Sequence, residues 1–151
     1  MKNQLQRKQL DEKLHVYSVL RNVNMPIGGW VKAIRTTLGM SLEQLGNQLG
    51  VTKQSVQSLE KREKEGNITI NSLKEAAQAM DMEFVYALIP KDGSLEKLIE
   101  RKAEILAKEI VMRTTQTMAL EDQENAKKRI IEAIEERKRD IIENNPKMIW
   151  D

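Results

Sequence analysis

One stretch, residues 41–59, constrains the fold of this chain more than any other. Its sequence is SLEQLGNQLGVTKQSVQSL, in which apolar residues recur at helical spacing on both sides of a glycine. Ser41 and Gln44 have the spacing of a capping box, which starts a helix. Gly50 is expected to end that helix, because glycine accepts the left-handed backbone of a tight turn. Thr52 can cap a second helix through its hydroxyl. The stretch therefore predicts two short helices joined by a tight turn.

The second of these helices has one apolar and one polar face. Val56 and Leu59 are expected to point inward. The opposite face carries Lys53, Gln54, Gln57, Ser58 and Lys61. Such side chains hydrogen-bond to base edges or neutralise phosphates. Gly46 is expected where two helices cross closely, and Val51 under the turn. The pattern predicts a helix-turn-helix whose second helix enters DNA, and an ordinary helical hairpin of an unrelated all-α protein is the alternative.

Further helices are predicted on both sides of this pair. The preceding one has an apolar stripe made by Trp30, Val31, Ile34 and Leu38, and Gly39 is expected to close it. The following one is expected to begin near Asn71, as its cap, and to bury Leu73 and Ala76. Four short helices in this order resemble the DNA-binding domain of the phage-repressor (Xre-type) regulators, over about residues 29–80.

This resemblance implies roles for individual residues. Lys53 and Gln54 would open the recognition helix and reach base edges, with Gln57 and Ser58 further along the same face. The DNA-binding residues on phosphates would be Ser41, Thr52 and Lys61. Arg35 and Glu60 match a structural ion pair between the first and third helices, and two unrelated surface charges are the alternative. The chain departs from the family at Leu42, where many members carry a DNA-facing glutamine.

Composition and charge exclude several other classes of protein. The chain has 151 residues, a net charge of +2 and no cysteine, so a disulfide scaffold and a thiolate metal site are impossible. Residues 1–24 hold five basic and two acidic residues, and residues 25–66 hold six and four, so the basic excess accompanies the helix-turn-helix. The chain lacks an apolar signal core and a membrane-length apolar run, which predicts a soluble, cytoplasmic protein. Its single histidine, His15, and the lack of phosphate-binding or metal-ligand motifs predict no enzyme activity, cofactor or metal site.

The rest of the chain predicts one strand and further helices. Residues 82–89, MEFVYALI, are expected to form a β-strand with no second strand to pair with, so that a second copy of the chain would complete it. Such a homodimer would be joined by an intersubunit ribbon containing Phe84, Val85, Tyr86 and Leu88. A buried helix extension is the alternative. Residues 61–66 are expected to form a polar loop.

The predicted fold is mainly α, with an Xre-type helix-turn-helix bundle, one β-strand and a C-terminal helical hairpin. The hairpin is expected from apolar stripes over residues 94–120 and 125–143. Trp150 is expected to dock on the protein's own body or to bind a partner. The predicted domains are an N-terminal amphipathic helix or arm, the helix-turn-helix domain, a dimerisation strand and a C-terminal helical region, at residues 1–27, 28–81, 82–91 and 92–151.

A second resemblance extends over nearly the whole chain, to the family called mobile mystery protein A. It rests on the sequence Gly28-Gly29-Trp30, the helix-turn-helix, VYALIP at 85–90, TMALEDQ at 117–123 and the C-terminal IWD. Members of that family are encoded beside a Fic-domain protein, in what looks like a toxin–antitoxin operon. The resemblance therefore implies a bacterial autorepressor, bound to the nucleoid through DNA, with an antitoxin-like partner role.

One local pattern bears on that partner role. Antitoxins that inhibit Fic enzymes use a helix with Ser or Thr, three residues, Glu, and then Gly or Asn. Thr117 and Glu121 match the first two requirements, whereas Asp122 misses the last. An ordinary glutamate near a helix end is the alternative.

These observations lead to three functional hypotheses. The first is a dimeric, sequence-specific DNA-binding regulator that binds a palindromic operator in double-stranded DNA and represses its own operon. The second is an antitoxin that inhibits a Fic-domain toxin through the C-terminal helices. The third is a structural adaptor with a vestigial helix-turn-helix.

Overall fold

The computed structural model of the chain describes residues 2–115 and 123–151. These residues contain seven α-helices and two short 3-10 helices, and none of them lies in a β-strand. The α-helices are α1 (Lys2–His15), α2 (Trp30–Thr37), α3 (Leu42–Leu49), α4 (Lys53–Glu65), α5 (Ile70–Ala79), α6 (Leu95–Thr115) and α7 (Gln123–Asn144). The 3-10 helices are Ser18–Asn22 and Pro146–Trp150. Within this described part of the chain, no helix combines the length and apolar character needed to cross a membrane.

The chain divides into two compact units. One comprises residues 22–86 and contains α2 to α5. The other combines residues 1–21 with residues 87–151 and contains α1, α6 and α7. The N-terminal helix therefore belongs to the same unit as the C-terminal helices.

The unit formed by residues 22–86 has a core to which each of its four helices contributes. The side chains of Leu45, Val56 and Ala76 are fully buried, and Val31 is 4% exposed. They come from α3, α4, α5 and α2, respectively, and each belongs to an apolar stripe at helical spacing. This core fixes α4 with one face inward and the other in solvent.

The second unit is built around the pairing of α6 and α7. Ala103 and Ala107 of α6 are fully buried against Ile141 of α7, because small side chains let the two helices approach closely. At the C-terminus, Ile149 packs on this cluster. Trp150 stays 58% exposed, with the Lys102 ammonium 4.7 Å from its ring centre, a cation–π contact.

Helix α1 is held in this unit by polar contacts. It buries none of its residues. The Asp11 carboxylate accepts hydrogen bonds from the backbone N–H groups of Leu95 and Glu96, at 2.7 and 3.3 Å, and so caps the start of α6. Arg7 pairs with the Glu96 carboxylate at 2.8 Å.

The predicted β-strand at residues 82–89 is wrong. Residues 82–89 have no regular secondary structure. Most of this segment belongs to the unit formed by residues 22–86. Alternating apolar residues are not sufficient for a strand, because a ladder needs a second strand to satisfy its backbone groups. Phe84 and Tyr86 instead stack on each other, with ring centres 5.9 Å apart. The predicted intersubunit ribbon, which requires this strand, is therefore wrong as well.

Three smaller expectations in the helix-turn-helix unit are also corrected. Residues 61–65 are not a loop but the last turns of α4, which Gly66 ends in a left-handed conformation with φ 77°. Helix α5 is capped by Thr69, whose hydroxyl accepts the Ser72 N–H at 3.1 Å, and not by Asn71. Val51 is 44% exposed rather than tucked under the turn.

Candidate nucleic-acid interface

The two helices of the motif are started and stopped by their own local residues. The Ser41 hydroxyl accepts the Gln44 N–H at 3.1 Å, while the Gln44 side-chain oxygen accepts the Ser41 N–H at 2.8 Å. This is the capping box expected from the sequence. Gly50 ends α3 in the left-handed conformation, with φ 70°. The Thr52 hydroxyl then caps α4 by accepting the Ser55 N–H at 3.1 Å.

Gly46 allows the turn to fold back on α3. A Cβ atom at this position would lie 2.7 Å from the backbone oxygen of Val51 and 3.3 Å from the carbonyl carbon of Thr52. A glycine is required because the neighbour is backbone, which cannot rotate away as a side chain can. The close neighbour is thus the turn between α3 and α4, and not a crossing helix as the sequence had indicated.

Helix α4 presents its predicted polar residues to solvent. Val56 and Leu59 are buried in the core, at 0% and 8% exposure. On the other side, the exposed residues are Lys53, Gln54, Gln57, Ser58 and Lys61. Their spacing of one, four, five and eight residues places them along one face of a helix. The structure therefore brings together five of the seven predicted DNA-contacting residues, and Ser41 and Thr52 are exposed at the starts of α3 and α4.

Burial of acidic residues makes the exposed face of α4 basic. Glu60 and Glu63 are only 7% and 6% exposed. The charged residues of α4 that are exposed are Lys53, Lys61, Lys64 and Glu65. Residues 22–86 as a whole contain seven basic and seven acidic residues, so this excess cannot be read from composition. Local positive charge of this kind attracts the phosphate backbone.

A buried ion pair ties α2 to α4. The Arg35 Nε lies 2.5 Å from the Glu60 Oε1, and its Nη2 lies 3.3 Å from the Glu60 Oε2. A further nitrogen, Nη1, donates to the backbone oxygen of Met40 at 2.9 Å. These are the two residues that the family resemblance joins, and they are buried rather than on the surface. Two parallel hydrogen bonds of this type fix direction as well as distance.

A second carboxylate, on Glu63, makes a contact that the sequence analysis did not anticipate. Its oxygens accept the backbone N–H groups of Trp30 at 3.1 Å and Val31 at 2.8 Å, at the start of α2. Glu63 follows Val56 by seven residues and Leu59 by four, so it continues the inward stripe of α4. That spacing is the signal in the sequence that indicates an inward-facing Glu63, and it applies only because α4 continues to Glu65.

The residues predicted for dimerisation and for partner inhibition have different outcomes. Phe84 is half-buried, whereas Val85, Tyr86 and Leu88 are exposed and unpaired with any strand in the described residues. Thr117 and Glu121 lie outside the residues that the structure describes. In residues 2–115 and 123–151, no cluster of three or more His, Asp or Glu side chains is placed to hold a metal ion.

Comparison with known proteins agrees with this geometry. Residues 31–86 match the family described as helix-turn-helix. A comparison with curated proteins and one with solved structures each gave no significant match. The family match covers the capped pair α3 and α4 together with the helices on either side. Residues 31–86 therefore form a helix-turn-helix domain, of the kind that Xre-type DNA-binding regulators contain.

Proposed function

We propose that the protein is a sequence-specific transcriptional regulator that reads double-stranded DNA with α4, and that it has no catalytic role. The observation that carries this proposal is the exposed face of α4. It combines amide and hydroxyl side chains with a local excess of lysines, because its two buried glutamates face the core. Amide and hydroxyl side chains can hydrogen-bond to base edges, and lysines attract the phosphates.

Each residue of that face has a role that follows from its position. Lys53 and Gln54 lie in the first turn of α4, which is the end that approaches the bases in helix-turn-helix complexes. A glutamine can bond an adenine through two atoms, and a lysine can bond a guanine. Lys61 lies two turns further on and would contact phosphate. Ser41 and Thr52 would do the same at the starts of their helices.

The regulator is proposed to act as a homodimer on a palindromic operator in its own promoter. One helix-turn-helix unit covers one half-site, so two copies are needed to read both halves, about one turn of DNA apart. This proposal involves no strand pairing at residues 82–89. Autorepression is what the resemblance to mobile mystery protein A implies.

Operator selection and two substitutions test the proposal. A duplex selected by the full chain from random sequence, and footprinting on the upstream region, should reveal a two-fold symmetric site. Gln54→Ala should cost about 1–3 kcal/mol on that site and relax discrimination at one base pair. Lys61→Ala should weaken all duplexes equally and reduce the salt slope by about 1.

The matched control for these variants is Gln78→Ala. Gln78 is an exposed glutamine on α5, outside the helix that is proposed to read DNA. It should leave both affinity and discrimination unchanged. Binding that is insensitive to both the Gln54 and Lys61 substitutions would show that α4 is not the reading helix.

A second candidate function concerns the other unit. Helices α6 and α7 have a core of their own, and α6 leaves Ile105 and Met112 about half exposed. These features support a partner-binding role for this unit, and the resemblance to mobile mystery protein A points to a Fic-domain toxin. If a Fic enzyme is encoded next to this chain, the full chain should inhibit it, and Met112→Glu should weaken inhibition while leaving operator binding intact. Full Fic activity in an excess of the wild-type chain would refute this role.

A further inference from the structure

We propose that Glu63 is a positioning residue for DNA reading: by holding the start of α2, its carboxylate sets the orientation of α4 on the operator. This inference rests on the proposed function, because it concerns the helix that is proposed to read DNA. It adds a residue outside the reading face, on the opposite side of the same helix.

The carboxylate supplies a cap that α2 does not have of its own. The N-cap residue of α2 is Gly29, which has no side chain to accept the free N–H groups of the first turn. Glu63 accepts two of them, one on each oxygen, from Trp30 and Val31. Its negative charge also lies at the positive end of the α2 dipole. Glu63 is only 6% exposed, and each of its carboxylate oxygens accepts one of these hydrogen bonds.

The contact between Glu63 and the start of α2 depends on the glycine at position 29. A Cβ atom on Gly29 would lie 2.6 Å from the Glu63 Oε1, so the carboxylate would have to move away from this position. Gly29 also has φ 90°, a conformation that residues with a side chain rarely adopt. Glycine at position 29 therefore leaves free the space that the Glu63 carboxylate occupies.

Two contacts with α2, in successive turns of α4, fix the direction of the α4 axis. A single contact would leave α4 free to rotate about it. Arg35 holds α4 at Glu60, and the start of α2 holds it three residues further on, at Glu63. Gln54 lies nine residues before Glu63, about 14 Å along the helix axis. At that distance a rotation of about 4° moves a side chain by about 1 Å. Hydrogen bonds to base edges have a narrow range of distances, so such a rotation would impair readout.

Charge-driven binding to any DNA sequence does not need this alignment. It depends on the number of phosphates neutralised and not on hydrogen bonds to individual bases. Loss of the Glu63 contact should therefore lower the affinity for the operator selectively. A simple loss of folded protein would lower the affinity for every sequence in the same proportion.

The test compares Glu63→Gln with Glu65→Gln in the full chain. Both variants remove one negative charge from the last turn of α4, but Glu65 is exposed, with its carboxylate 4.0 Å from the Lys61 ammonium. The glutamine at 63 keeps the shape of the side chain but offers one oxygen, and its amide hydrogens face the second N–H group. Fluorescence anisotropy gives the affinities for the selected operator and for a scrambled duplex of equal length.

For Glu63→Gln we expect the ratio of operator to scrambled affinity to fall about tenfold, a loss comparable to that of one base contact. Its scrambled-duplex affinity should equal that of Glu65→Gln, whose ratio should remain that of the wild type. An unchanged ratio in Glu63→Gln would overturn the inference. Glu63→Asp, which keeps the charge but is one methylene shorter, should show the same fall, and full wild-type discrimination there would overturn it too.

A measurement on the wild-type chain keeps the inference testable if the variants fold poorly. The amides of Trp30 and Val31 belong to the first helical turn, where N–H groups ordinarily exchange rapidly with solvent. We expect both to be protected in the wild type, and rapid exchange of both would overturn the inference. If the wild type does not prefer any operator over scrambled DNA, the proposed function fails, whereas the exchange experiment still decides whether Glu63 holds α2.

Discussion

Among single residues, the buried charges of the helix-turn-helix unit are the most consequential. Arg35, Glu60 and Glu63 are each less than a tenth exposed. Burying a charge is costly unless its hydrogen-bonding groups are satisfied. Here each guanidinium nitrogen of Arg35 and each carboxylate oxygen of Glu60 and Glu63 has a partner. These residues fix how the helices are oriented, a task that apolar contacts perform less specifically.

Removal of one member of the buried ion pair should destabilise this unit strongly. Glu60→Ala leaves the Arg35 guanidinium buried without its carboxylate, which typically costs about 3–5 kcal/mol. The double variant Arg35→Met, Glu60→Leu should lose much less, because neither charge remains. The loss of stability in each variant is measured by urea unfolding of the full chain, with amide exchange in α4 as the probe. A loss below about 1 kcal/mol in Glu60→Ala would contradict a buried, paired Arg35.

An exposed pair in the other unit predicts a pH effect. The Arg101 Nε and Nη2 donate to the Asp92 carboxylate at 2.7 and 3.1 Å, and this hydrogen bonding holds the pKa of Asp92 below its ordinary value. The contribution to stability is therefore present above the pKa of the unfolded chain, and it is lost as the pH falls through the lower, folded value. Arg101→Gln should raise the pKa of Asp92 towards its ordinary value in an NMR titration of the carboxyl carbon. The same titration curve in both proteins would show that the pair does not persist in solution.

At the scale of helices and turns, the geometry of the motif depends on how closely α3 meets its own turn. A helical glycine replaced by alanine usually gains about 1 kcal/mol from helix propensity. At Gly46 that gain is opposed, because the new Cβ would lie 2.7 Å from the backbone oxygen of Val51. The turn would have to shift, and with it the start of α4.

Gly46→Ala should therefore be destabilising, by about 1–3 kcal/mol, as expected for overpacking. Asn47→Ala is the control, since Asn47 is exposed on the same helix and should gain a little from propensity alone. Thermal unfolding of the two variants measures the contrast. If Gly46→Ala melts above the wild type, the close approach of Val51 to α3 is not real.

At the scale of the whole molecule, residues 2–115 and 123–151 form two hydrophobic core clusters with no residue in common. One is centred on Leu45 and Val56, and the other on Ala103, Ala107 and Ile141. Chains with separate cores often depart from two-state unfolding. DNA reading is proposed for the unit with the first core, and partner binding for the unit with the second.

Ile141→Ala tests this division. Ile141 is fully buried, so its truncation should cost the second unit about 2–5 kcal/mol. Amide exchange should rise in α6 and α7, while α3 and α4 keep their protection. Leu45→Ala is the reciprocal variant and should raise exchange in α3 and α4 alone. Equal increases in both units after either substitution would mean that the chain unfolds as one cooperative body.

The sequence by itself determined the features that depend on neighbours a few residues apart. The capping box of Ser41 and Gln44, the left-handed Gly50 and the Thr52 cap could be predicted because their partners lie within four residues. The inward positions of Val56 and Leu59, and with them the exposed polar face of α4, followed from helical spacing. These local rules were enough to locate the helix-turn-helix.

Only the tertiary structure decided which charges are buried and which segments find a partner. The two N–H groups that donate to Glu63 lie more than thirty residues before it, so helical spacing can predict that Glu63 points inward but not which groups it contacts. The same holds for the docking of Asp11 on the start of α6. Residues 82–89 failed as a strand for a related reason: alternation favours extended backbone, but a strand exists only where a second one satisfies its N–H and C=O groups. Because such partners are distant along the chain, the basic face of α4 and the orientation of that helix become evident only in the folded molecule.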